Sequence, residues 1–169
     1  MKKIFVFISA IASFSLYAQD DGFIKNFENS NVAYYADSIL IGSSLGIDWE
    51  NNVADVYLEK GNVVIDGNKY DGKLFITLKQ KADLISLEQI SKRYIGEKIY
   101  TPVYLINGNF MKGDLSSVKI DNNYILRVNH INSDKFANFD RKKSAKFTLV
   151  LIFTKTEENI KRASEFLIR

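Results

Sequence analysis

The side chains able to do chemistry are few in kind. His130 is the only histidine, and cysteine is absent. One imidazole cannot assemble a zinc site built from several His or Cys ligands. A serine-type triad needs its histidine beside a placed serine and carboxylate, and no nucleophile motif marks such a serine. His130 lies between Asn129 and Ile131 in an alternating stretch, and reads as a strand residue. The segment Asp66-Gly67-Asn68-Lys69-Tyr70-Asp71-Gly72 has the composition of a calcium loop. Counting from Asp66, however, puts Tyr70 where an oxygen ligand is needed and Thr77 where the closing Glu belongs, so a tight turn fits better. Gly42-Ser43-Ser44-Leu45-Gly46 lacks the lysine and the glycine spacing of a phosphate loop. Carboxylates are the one plentiful group. Asp48 and Glu50 flank Trp49, where two acids could cleave a glycosidic bond while the indole stacks on a sugar. The same three residues suit an ordinary polar loop with an anchoring tryptophan. No residue is therefore assigned a catalytic, cofactor-binding or metal-binding role. The expectation is a chain that is not an enzyme and needs no metal or cofactor to fold.

The N-terminus carries the pattern of an exported chain. Lys2 and Lys3 precede an apolar run, Ile4 to Phe14, and Ser15-Leu16-Tyr17-Ala18 forms a short exit region. The run is too short for a membrane span and has the flanks of a secretory signal peptide. Residues 1–18 are read as that signal, with cleavage after Ala18. Leu16 is not small, so cleavage after Ser15 is the alternative. Without cysteine there is no lipoprotein anchor, no disulfide and no thiol catalysis.

Removing 18 of the 169 residues leaves 151, a length that suits one domain with its own core. It also removes two of the 23 basic residues, so 21 face 20 acidic ones. That balance does not suit nucleic-acid binding. Arg141-Lys142-Lys143 is the densest basic cluster, and three charges make a weak electrostatic footprint. No second long apolar segment follows, so the mature chain should carry no transmembrane segment.

Along the chain, residues 19–31 read as a flexible N-terminal arm, and 32–169 as a single α+β domain. Val32 to Ile41 is apolar but of ambiguous type. Ala54 to Glu59, Val63 to Ile65 and Lys73 to Lys79 are strand-like runs bounded by Gly, Asn and Asp. Ser86-Leu87-Glu88-Gln89 has capping-box spacing, and Leu87, Ile90 and Tyr94 continue it as a helix over 87–94, stopped by Gly96. Pro102 opens a strand to Ile106, and Asn107-Gly108 is a favoured hairpin turn. Tyr124 to Ile131 alternates, with Tyr124, Leu126, Val128 and His130 on one side. Ser133 to Phe139 suggests a short helix. Lys146 to Phe153 is apolar enough for a central strand. Thr156 to Phe166 suggests a terminal helix with Ile160 and Ala163 inward. One internal echo occurs: Ile65-Asp66-Gly67-Asn68 with Gly72 returns 41 residues later as Ile106-Asn107-Gly108-Asn109 with Gly113. It reads either as a duplication or as reuse of the residues that tight turns demand.

The segment 102–155 resembles the plug domain of TonB-dependent outer-membrane receptors, in its Bacteroidota form. Pro102-Val103-Tyr104-Leu105-Ile106-Asn107-Gly108 is similar to that family's P-x-Y-x-I-D-G strand and turn, with Asn for Asp. Tyr124-Ile125-Leu126-Arg127-Val128 stands in the place of its second strand. Ser133-Asp134-Lys135-Phe136 would open its short helix. Phe147 to Lys155 resembles its closing strand. The Gly-rich stretch before that strand is replaced by Asp140 to Ala145, and no TonB-contacting box is evident. The chain leaves no room for a receptor barrel. The resemblance therefore implies a stand-alone plug-like module with no catalytic residues to carry over.

The sequence thus points to an α+β fold, a single domain with a mixed β-sheet and two or three short helices. The expected function is non-catalytic binding or assembly, with an envelope or outer-membrane protein as partner. The expected place is the periplasm, the outer membrane or the outside of the cell. A secreted carboxylate-based hydrolase is the alternative.

Overall fold

A computed structural model describes residues 31–97, 99–136 and 145–167. The signal segment, the arm except Asn31, the Arg141-Lys142-Lys143 cluster and residues 137–139 lie outside the described residues. The fold is α+β, with mixed sheets and two α-helices among the described residues. Within the expected domain the chain divides into two compact units. The first runs to Leu40 and resumes over Val53–Lys79; the second joins Ile41–Asn52 to the chain from Gln80 onward.

In the first unit, β1 (Val32–Ala36) turns through Asp37-Ser38 into β2 (Ile39–Leu40), and β3 (Val53–Ile65) turns through Asp66-Gly67 into β4 (Asn68–Leu78). The order across the sheet is β2-β1-β4-β3, with β1 and β4 parallel and the other pairs antiparallel. Alternation follows from the pleat. Leu74 and Ile76 are 1% exposed, while Lys73, Phe75 and Thr77 point to the opposite face. Val32 to Ala36, ambiguous in sequence, becomes a strand because it pairs with β4 over its whole length.

The second unit holds β5 (Leu84–Ser86), α1 (Leu87–Tyr94), β6 (Thr101–Ile106), β7 (Asn109–Phe110), β8 (Lys119–Asp121), β9 (Ile125–Asn132), β10 (Phe147–Thr154) and α2 (Glu157–Leu167). The capping box forms as the spacing requires: the Ser86 hydroxyl accepts from the Gln89 amide, and the Gln89 side chain accepts from the Ser86 amide. The main sheet has the order β7-β6-β10-β9, and β5 pairs with β8 in a separate ribbon. Pro102 is tolerated because β7 is too short to reach it, so no ladder donor is needed there. The core gathers Leu87 and Ile90 from α1, Tyr104 and Ile106 from β6, Ile120 from β8, and Val150 and Ile152 from β10. Each such fully buried aliphatic contributes about 1.5–3 kcal/mol relative to exposure.

Three expectations need correction. The alternation from Tyr124 breaks, because β9 starts at Ile125 and Leu126 is an extra residue between Ile125, opposite Thr154, and Arg127, opposite Phe153. Ser133 to Lys135 is only a 3-10 turn, and Phe136 is already extended. In α2, Ile160 is 50% exposed rather than inward; the helix is held instead by Asn159, whose amide donates to the Asn107 side chain and the Thr154 carbonyl at 2.9 Å each.

The two four-stranded sheets are built alike. Each has a short hairpin, then a parallel pairing of its first strand with its last, then an antiparallel outer strand. The agreement extends to detail. The Asp37 amide donates to Ile76 O at 3.0 Å while its carboxylate accepts from the Leu78 amide at 3.0 Å. The Asn107 amide donates to Ile152 O at 2.9 Å while its side-chain oxygen accepts from the Thr154 amide at 2.9 Å. Both outer strands carry a bulge at the same place, with Ala54 and Leu126 as the extra residues. Val56 faces Ile76 where Val128 faces Ile152, and Tyr34 occupies the place of Tyr104. The correspondence is therefore between residues 32–78 and 102–154. The 41-residue echo reflects a shared turn requirement instead: Asp66 and Gly67 have φ of 50° and 81°, Asn107 and Gly108 of 49° and 83°.

The Asn107 clamp should be the more costly to remove. Asn107→Ala strands the half-buried Thr154 amide and loses the side-chain hydrogen bonds by which asparagine tolerates positive φ, a loss of about 2–4 kcal/mol. Asp37→Ala, at an exposed clamp, should cost about 1 kcal/mol. Gly108→Val should cost about 1–3 kcal/mol through backbone strain alone, since an added Cβ meets nothing within 4 Å. Urea melts of the three variants check this ranking. An Asn107→Ala variant that melts like the parent would contradict the clamp.

Candidate functional site

A polar cleft of about 290 Å³ opens in the second unit. Asp48, Asn51 and Asn52 form one wall, Gln80 and Lys81 another, and Asp121, Asn123, Tyr124 and Lys155 the rest. Local sequence places these groups. Ile47-Asp48 and Ile120-Asp121 each end a buried aliphatic position with an acid, and each acid caps the turn that launches the next strand. Asp48 accepts from the Asn51 amide at 3.0 Å and from the Asn51 side chain at 3.2 Å. Asp121, only 5% exposed, accepts from the amides of Asp83 at 3.1 Å and Asn123 at 3.0 Å. The Asn52 side chain brackets the Gln80 backbone, donating to its carbonyl at 3.1 Å and accepting from its amide at 2.9 Å.

Burial pushes the Tyr124 phenol above its ordinary value near 10, and the negative charges of Asp48 and Glu50 push the same way against a hydrogen bond with Thr154. Tyr124 therefore stays neutral and can donate or accept. Lys81 and Lys155 add two basic residues to the lining. The cleft is equipped to hydrogen-bond a small polar molecule. For acid–base work it offers two carboxylates already committed to backbone donors.

The sequence-derived candidates distribute as follows. Asp48 lines the cleft, but Glu50 and Trp49 do not; Trp49 donates its indole N–H to Ser44 O at 2.8 Å and acts as an anchor. The acid that shares the cleft with Asp48 is Asp121. The repeated Ile-Asp followed by paired asparagines, Ile47-Asp48 with Asn51-Asn52 and Ile120-Asp121 with Asn122-Asn123, was the available signal for it. His130 is exposed on β9 opposite Val150, remote in role from the cleft. Asp66 to Gly72 forms a hairpin and the start of β4. Among the described residues no group of three or more His, Asp or Glu side chains could hold a metal ion, and no helix is long and apolar enough to cross a membrane.

The raised Tyr124 value has a signed consequence. Below pH 10 the phenol is neutral whether the chain is folded or not, and its contribution to stability is complete. As the pH rises past the unfolded value and through the higher folded one, the unfolded chain loses its proton first and stability falls. The difference in phenolate absorbance between the parent and Tyr124→Phe should show one tyrosine titrating late, and Tyr124→Phe should flatten the alkaline loss of stability. A Tyr124 that ionises with the exposed tyrosines would contradict the buried placement.

Comparison with family models, with curated proteins and with solved structures finds no match to this chain.

Proposed function

We propose that this chain is an exported, non-catalytic binding or assembly module of the periplasm or outer membrane, and that it engages another envelope protein by adding a strand at the outer edge of β9. The observation that carries the reading is the contrast between the two outer strands. Among the described residues, β3 and β9 each pair on one side only. β3 is guarded by two bulges, the second at Gly61 beside Lys60, and carries Asp55, Glu59 and Lys60. Such devices keep an edge from pairing. β9 has its single bulge at its start, and Arg127 to Asn132 then runs in unbroken register. Six regular residues with one free side form a template for an added strand.

The plug-like motif supports the same reading. Its strand and turn, Pro102 to Gly108, are answered by Val32-Ala33-Tyr34-Tyr35-Ala36-Asp37-Ser38 in the corresponding place of the first sheet. The alternative, a carboxylate-based hydrolase, draws on Asp48 and Asp121 sharing one cleft. It is the weaker reading because both acids serve as caps.

Crosslinking in intact cells, followed by recovery of the chain, tests the proposal. The expected product starts at Gln19 and is joined to one specific envelope protein. Of Asn129→Pro and His130→Pro, the variant that removes the outward N–H should fold and lose at least tenfold in capture, whereas Val64→Pro on β3 should not. An intact Met1 chain in the soluble cytoplasm, or capture indifferent to both β9 prolines, would overturn it. Loss of a glycosidase activity in Asp121→Asn would favour the alternative.

A further inference from the structure

Asn107-Gly108 is the one Asn-Gly pair in the chain. Asparagine before glycine is the pair best suited to losing side-chain ammonia, because the attacking group is the next backbone nitrogen and glycine has no Cβ to shield it. Gly108 is exposed, and even an added Cβ there would meet nothing within 4 Å. The structure nevertheless holds the reacting atoms apart in two ways. Ring closure requires the Gly108 nitrogen to eclipse Cβ of Asn107 about the Cα–C bond. Positive φ at both residues, 49° and 83°, defines instead the mirror-image two-residue turn. In that turn ψ of the first residue is about 30°, and the nitrogen points away from Cβ. The Asn107 side chain is also held at both ends. Its oxygen accepts from the Thr154 amide and from Asn159 at 2.9 Å each, and its nitrogen donates to the Thr154 hydroxyl at 2.7 Å. The Asp66-Gly67 turn has nearly the same φ values, 50° and 81°. There Asp66 is exposed, and among the described residues no hydrogen bond holds its side chain.

We propose that Asn107 is a deamidation site gated by the fold, closed while turn and clamp are formed and reactive when the β6–β7 hairpin opens. In the open chain the Gly108 nitrogen gives its proton to hydroxide and attacks Cγ of Asn107. The new N–Cγ bond replaces the Cγ–Nδ2 bond, and the side-chain nitrogen takes up a proton and leaves as ammonia. Water then opens the resulting succinimide at one of its two carbonyls. Addition at Cγ gives aspartate at this position. Addition at the backbone carbonyl gives isoaspartate, whose main chain runs through Cβ. One water is consumed, one ammonia is released, and nothing is oxidised or reduced. The two products differ in consequence. Asp37 makes the equivalent clamp with a carboxylate, so the aspartate chain can close again. The isoaspartate chain has an extra main-chain carbon in a two-residue turn. It cannot bring the backbone amide to Ile152 O and the side-chain oxygen to the Thr154 amide together. Opening is thus recorded at one residue, and part of the opened population cannot rebuild the clamp. The inference does not depend on the β9 edge reading.

The test follows the conversion by mass spectrometry. Protein is held at mildly alkaline pH, sampled over time and digested with trypsin, and the peptide 99–112 is fragmented to separate position 107 from Asn109. In urea above the unfolding transition, position 107 should convert and Asn109, which precedes Phe110, should not. Under native conditions conversion should be slower by about a hundredfold or more, since the rate then follows the open population. Asp66→Asn places a second Asn-Gly pair in the same kind of turn without a clamp. In the same folded chain it should convert about tenfold faster than Asn107. Asn159→Ala removes one donor from the clamp. It should speed native conversion at Asn107 by about tenfold and leave the rate in urea unchanged. If Asn159→Ala fails to fold, the Asp66→Asn comparison decides, because the clamp is intact in that chain. Native conversion as fast as conversion in urea overturns the proposal, as does no conversion in urea. Equal native rates at positions 66 and 107 in Asp66→Asn overturn it too, and assign the protection to the turn alone.

Discussion

Both sheets depend on one contact: a side chain at the first position of a tight turn that bridges two parallel strands. Parallel strands cannot be joined by a short loop, and their pairing must be held from elsewhere. Asp37 and Asn107 do this from the end of the first strand. Each turns its amide to the partner strand's carbonyl and its side-chain oxygen to the amide two residues further on. The positive φ of each residue aims the side chain there. At Asn107 the clamp is extended, since the side chain also donates to the Thr154 hydroxyl at 2.7 Å and accepts from Asn159. The start of α2 is thereby tied to the same point as β6 and β10. The second clamp is half-buried where the first is exposed, so its loss is the more damaging.

With the clamps alike, the two sheets differ where the fold permits. The buried sides are apolar in both. The other sides carry an aromatic row of Tyr35, Phe75 and Tyr57, with ring centres 5.3 and 6.2 Å apart, in one sheet, and Leu105, Leu149 and Leu151 in the other. The outer strands differ too: β3 has a second bulge between Lys60 and Val63, whereas β9 is regular from Arg127 to Asn132. The polar cleft belongs to loops of the second unit, where Asp48 and Asp121 serve geometry first.

What was legible in the sequence was what is local. Ser86 and Gln89 satisfy each other within one turn, so the capping box could be read directly. Asn107-Gly108 accepts positive φ by residue type, so that hairpin could be read too. Asp37-Ser38 makes the same kind of turn without glycine, at φ of 45° and 69°, and is held there by its clamp across the sheet; residue type alone gave no sign. The likeness of the two sheets was hidden because the spacing between equivalent residues drifts, from 36 and 106 to 56 and 128 to 76 and 152, and there are few identities beyond Tyr34 with Tyr104, Val56 with Val128 and Ile76 with Ile152. Ile160 looked inward by helical spacing, yet Asn159 sets the helix direction. Asp121 and Tyr124 entered the cleft only once β8 and β9 placed them.

The clamp can be tested at its own atoms by amide hydrogen exchange of the native chain, followed by NMR. The Leu78 and Thr154 amides are each held by a side-chain oxygen rather than by the ladder alone. Both should be protected to the same order as the neighbouring sheet amides of Ile76 and Ile152, with Thr154 the slower of the two. Exchange of Leu78 and Thr154 at open-loop rates, while Ile76 and Ile152 remain protected, would contradict the account.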